Sequence, residues 1–123
     1  MIKYKLALAY VLLSSLASAH SMSPIEFGGK SNPLQSISVT GVVLVPIEVG
    51  TKAPKVFVIE VDGVEFNRIQ VAKDSIAEIT VPVRLNNPNV VENHTVCSVG
   101  QGSYFNTKIC TKVKAYWLQR SPE

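Results

Sequence analysis

The run Lys55-Val56-Phe57-Val58-Ile59-Glu60-Val61-Asp62-Gly63-Val64-Glu65-Phe66-Asn67-Arg68-Ile69-Gln70-Val71 decides the fold. Its first seven residues are almost continuously apolar and β-branched or aromatic. That composition predicts a central strand, buried on both faces or at an interface. Asp62-Gly63 follows between Val61 and Val64. A type I′ turn needs positive φ at both central residues, which Asp-Gly supplies cheaply, so 64–71 is expected to return as the second arm of a hairpin.

The same grammar extends in both directions. Gly, Pro, Asn and Asp interrupt the Val- and Ile-rich runs at short intervals, and no segment carries a convincing helical period. Downstream, Lys73-Asp74 turns the chain into a strand over 76–84. There Ile79, Val81 and Val83 share one face, and Pro82 on the other implies an edge or a bulge. Asn86-Asn87-Pro88-Asn89 is a loop. Strands over 94–99 and 107–118 close the chain around a loop at 100–106. Upstream, 22–27 forms a first strand in which Pro24 again suits an edge, and 28–33 turns. Residues 34–45 form a long strand region, with Ile37 and Val39 on one face and Ser36, Ser38 and Thr40 on the other. Gly41 marks a bulge or bend, Pro46 breaks the run, and 47–49 is left as a short strand.

Residues 1–19 read as a secretory signal peptide. Lys3 and Lys5 give a positive start, 6–16 an apolar stretch of 11 residues, and Ala17-Ser18-Ala19 a small-residue cleavage site. A spanning helix needs roughly 20 apolar residues, so no retained membrane span is expected. Cleavage takes 19 of the 123 residues and leaves one domain, 20–123. It also removes two of the 12 Lys and Arg, so the net charge falls from +3 to +1. With no dense basic run and few aromatics, nucleic-acid binding is not expected. The location is periplasmic or secreted.

Two cysteines in an exported domain are read as one disulfide, Cys97–Cys110. Strand parity supports it. If Val96 and Ile109 face the core, both cysteines lie on the outer face of neighbouring strands. The bridge would stiffen the 100–106 loop, where Tyr104 and Phe105 form a candidate contact surface. Asn93-His94-Thr95 also fits an N-glycosylation acceptor, which matters only in a eukaryotic host.

About seven strands, all-β and exported, resemble an immunoglobulin-like antiparallel sandwich in architecture. Ser23-Pro24-Ile25-Glu26-Phe27 followed by Gln35-Ser36-Ile37-Ser38-Val39-Thr40 resembles the opening strands of periplasmic pilus-chaperone N-terminal domains. The chain has no room for their second domain. This implies a non-enzymatic binding or structural module. Its partners would be proteins of the cell envelope, in a pilus, secretion or conjugation apparatus, met through strand edges or the disulfide-closed loop. No catalytic residues are expected: there is no G-x-S-x-G elbow and no glycine-rich loop leading into a helix.

One alternative is copper binding. Cleavage after Ala19 would expose the amine and imidazole of His20, and Glu92-Asn93-His94 sets a carboxylate and an imidazole on one strand face. The set is similar to that of CopC-type periplasmic copper carriers, which implies His20, Glu92 and His94 as ligands. In this chain Ser21-Met22 follows the histidine where that family has a proline.

Overall fold

The computed structural model describes residues 20–29, 34–101 and 107–120. The expected signal peptide, part of the 28–33 turn, and Tyr104 and Phe105 lie outside them. The described residues form an all-β sandwich of two sheets with no helix. The strands are β1 (His20–Ser23), β2 (Glu26–Phe27), β3 (Ile37–Ser38), β4 (Val42–Thr51), β5 (Lys55–Val61), β6 (Val64–Val71), β7 (Ser75–Arg84), β8 (Val91–Gly100) and β9 (Thr107–Trp117). One sheet runs β1-β4-β7. The other runs β2-β9-β8-β5-β6, and β3 also lies on the β9 edge. All pairings are antiparallel except those of β2 and β3 with β9, which are parallel.

Alternation along the strands builds the core. Val43, Val45, Ile47 and Val49 of β4, with Val81 and Val83 of β7, face Phe57, Ile59, Val71, Val96 and Val113 of the larger sheet. The central hairpin is as expected. Asp62 and Gly63 have φ of 51° and 84°, and β5 lies between β6 and β8 with Phe57, Val58 and Ile59 all buried. Its two arms pair with a register shift between Ile59 and Glu60, where β6 carries one extra residue, Phe66.

Three expectations need correction. The first strand divides at a cis Ser23–Pro24 bond: β1 pairs with β4 in one sheet and β2 with β9 in the other. Pro46 does not break its strand, because β4 runs unbroken from Val42 to Thr51. Its partner β1 reaches only as far as Glu48, so on that side the missing N–H of Pro46 has no neighbour to serve. Finally, 34–45 is not one strand region: β3 holds only Ile37 and Ser38 and β4 starts at Val42, with Ile37 and Val39 outward, 45 % and 74 % exposed, and Ser36 and Ser38 buried. The Ser38 hydroxyl holds the bend that separates β3 from β4: it donates to the Val42 carbonyl (2.7 Å) and accepts from the Thr40 and Gly41 N–H groups. Gly41 sits at the bend with φ of 85°.

Candidate functional site

Both histidines of the sequence sit on the inner side of the β8–β9 pair, and both ring nitrogens of each are occupied. They do opposite things. His94 on β8 is 8 % exposed. Its Nδ1 lies 2.6 Å from Asp62 Oδ2 in the hairpin turn, and its Nε2 lies 2.9 Å from Glu92 Oε1 two residues away on its own strand. Two carboxylate acceptors require two N–H donors, so the ring is held as an imidazolium. Burial pushes the imidazole down, but the hydrogen bonds and charges of Asp62 and Glu92 outweigh it and raise His94 above its ordinary value.

Each carboxylate is anchored in turn. Asp62 Oδ1 accepts the Thr95 N–H at 2.9 Å, tying the β5–β6 turn to β8. Glu92 accepts the backbone N–H groups of Asn87 (2.6 Å) and Asn86 (2.8 Å), which closes the loop after β7. The Asn87 N–H leads in holding Glu92 below the usual carboxylate range; the bond from Asn86 and the charge of His94 add to it, against some desolvation. A cleft of about 620 Å³ opens beside this cluster, lined among others by Asp62, His94, Lys112 and Lys114.

His20 on β1 reaches across to the other sheet. Its Nε2 is 2.8 Å from Ser98 Oγ and its Nδ1 2.8 Å from Thr107 Oγ1, with the ring tilted over Phe57 at 4.6 Å. Ser98 donates to Met22 Sδ (3.2 Å), so its oxygen is free to accept from His20 Nε2–H, and Nδ1 then accepts from the Thr107 hydroxyl. These partners are neutral. Desolvation, then the charge of Lys55, lowers the His20 pKa and so favours the uncharged ring.

This geometry bears on the copper alternative. Glu92 and His94 are brought together, as their spacing implied, but His20 is not brought to them. It meets β8 at Ser98, four residues and roughly 13 Å along the strand from position 94. Asp62 and Glu92 lie on opposite nitrogens of the His94 ring and do not converge on a point. Among the described residues no group of three or more His, Cys, Asp and Glu could hold a metal ion.

Cys97 and Cys110 are direct partners on β8 and β9, Cα atoms 4.0 Å apart, and are joined in a disulfide. With Val96 in the core, the bridge lies on the outer side of the pair, as parity required. The bond fits an oxidising compartment. No helix of the described residues is long and apolar enough to cross a membrane.

The sheet edges differ in kind. β6 pairs only with β5, but the bulge at Phe66 distorts its ladder, and Arg68 and Glu65 form an exposed ion pair at 3.0 Å upon it. Bulges and charges are the usual means of blunting an edge. β7 pairs only with β4, in unbroken register over all ten residues from Val42↔Arg84 to Thr51↔Ser75. Pro82 lies opposite Leu44 and Pro46 opposite Thr80. Neither proline has an N–H, so the even-numbered pairs are the non-hydrogen-bonded ones. The N–H and C=O groups of Ile76, Glu78 and Thr80 therefore point to the free side, where no strand of the described residues lies. Sequence reasoning marked Pro82 as an edge or bulge residue; that it lies on an edge, and that 75–81 is the regular, unblocked part of it, follows only from the register.

No protein-family model matches this chain, and no curated protein or solved structure matches it.

Proposed function

We propose that the chain is a non-enzymatic, exported binding module with an immunoglobulin-like sandwich, which takes a partner's strand onto the free edge of β7 in an assembly of the cell envelope. The observation that carries this reading is the straight, unpaired edge of β7 from Ser75 to Val81, bounded by Pro82. Strand addition draws its affinity from main-chain hydrogen bonds, and a regular edge with outward N–H and C=O groups is its template. The signal-like residues 1–19 and the disulfide support export. The strand that divides between the two sheets supports the immunoglobulin-like reading.

Thr80→Pro is the test. It deletes one outward donor and no bond of the β4–β7 ladder, as native Pro82 does one pair away. Wild type is expected to retain an envelope protein from detergent extracts that Thr80→Pro fails to retain, at unchanged thermal stability. If both proteins retain the same set, or neither retains any, the edge reading is wrong.

A further inference from the structure

We propose that the strand received by β7 is an extended peptide with a lysine or arginine opposite Glu78 and an apolar residue two positions along, over Ile76. This rests on the edge reading above and adds the chemistry of the partner.

Glu48 and Glu78 are direct partners on β4 and β7. Theirs is a non-hydrogen-bonded pair, the closer kind, with Cα atoms about 4.5 Å apart. Like charges directly opposite each other weaken a sheet. Among the described residues neither carboxylate forms an ion pair, and Glu48 receives only the Ser23 hydroxyl at 3.5 Å. The pair stands at the wall of a cleft of about 540 Å³ floored by Pro24, Pro46 and Thr80. Glu78 also stands on the free edge. The next strand out would place its own side chains beside it, and a cation there stands next to Glu78, with Glu48 one strand spacing of about 4.8 Å further in. Ile76, two residues along the same face, is 66 % exposed. An added strand would therefore meet acid and apolar side chains in alternation on one face.

Two registers of a second copy are disfavoured. Antiparallel pairing of two β7 edges centred on Glu78 sets Glu78 against itself. The register that brings Glu78 to the partner copy's Arg84 sets Pro82 against Thr80, where the ladder lacks a donor. Charge and register both favour a different chain.

The experiment uses the isotope-labelled exported protein and two heptapeptides, Thr-Val-Thr-Lys-Thr-Val-Thr and its counterpart with a central Glu. Titration is followed at the amides of Ile76, Glu78 and Thr80. The Lys peptide is expected to bind roughly tenfold more tightly, the difference between an attractive and a repulsive cross-strand pair. Glu78→Lys should reverse the preference, and about 0.5 M salt should flatten it. Equal binding of both peptides, abolished by Thr80→Pro, would sink the charge selection and leave the edge reading standing. If neither peptide moves these amides, the proposal fails; if a dimer that Thr80→Pro dissolves forms in the absence of peptide, the occupant is a second copy and the proposal fails on that account.

Discussion

The two ends of the β8–β9 ladder place the same side chain in opposite service. At one end His94 is sandwiched between carboxylates and charged; at the other His20 is sandwiched between hydroxyls and neutral. Burial acts against charge on both rings. What separates them is the partner: an acceptor that is already an anion makes the proton worth keeping, and a hydroxyl does not. The charged end joins backbone segments far apart in sequence, the β5–β6 turn and the loop after β7. The neutral end joins the two sheets.

The contrast can be broken or sharpened in stages. The largest effect is expected from Cys97→Ala with Cys110→Ala. The bridge closes a loop of about 14 residues, for which chain entropy gives roughly 3 kcal/mol of stabilisation. Denaturant titration should show that loss. Hydrogen exchange should quicken at Ser98 and Thr107, beside His20, more than at His94 and Thr95. Uniform quickening would mean that the bridge does not act locally.

His94→Leu is expected to come next, at about 2 kcal/mol, since it removes two charge-assisted hydrogen bonds and leaves Asp62 and Glu92 facing an apolar side chain. His20→Phe should cost less, about 1 kcal/mol, because a ring remains over Phe57 and the displaced hydroxyls are neutral. If His20→Phe proves the more damaging of the two, charge is not what distinguishes the ends.

The smallest and most specific effect concerns pH. His94 is raised in the folded protein, so its contribution is complete below the unfolded value of about 6.5 and is lost as pH rises through the folded one. His20 is lowered, so its contribution is complete above about 6.5 and is lost as pH falls through its folded value. Stability measured across pH should lose its decline above about pH 6.5 in His94→Leu and part of its decline below about pH 6.5 in His20→Phe. Matching pH profiles in the two variants would contradict the assignment.

Much of this was legible in the sequence because it is local. Asp62-Gly63 declares a turn that needs two positive φ values, and Pro82 declares an edge or a bulge. Val96 and Cys97 alternate, so a buried valine puts the cysteine outside. What the sequence left open or misplaced shares a cause. Period-2 alternation at 36–40 separates two faces but does not say which is inner. The serines went inward because Ser38 had backbone groups of the bend to satisfy. Pro46 reads as a breaker by any local rule. It is tolerated because β1, more than 20 residues earlier, stops at Glu48. Glu92 and His94 were readable as neighbours two residues apart, whereas Asp62, 32 residues from His94, showed only its role in the turn. The pairing of Glu48 with Glu78 required the register of β4 on β7.

The division of the first strand between the sheets has a consequence in time. β2 meets β9 through Glu26↔Lys112 and Phe27↔Val113, so the second half of that divided strand waits for a strand about 85 residues further along the chain, whereas β1 needs only β4. A Cβ at Gly28 would collide with the Lys114 carbonyl, which fixes how closely those two passages of chain must approach. A nascent chain can form the 55–71 hairpin as soon as it emerges. It cannot shut the seam between its two sheets until residues 107–117 arrive. Contacts of such sequence separation are slow to form. The seam between the sheets therefore stays open until β9 has joined β2.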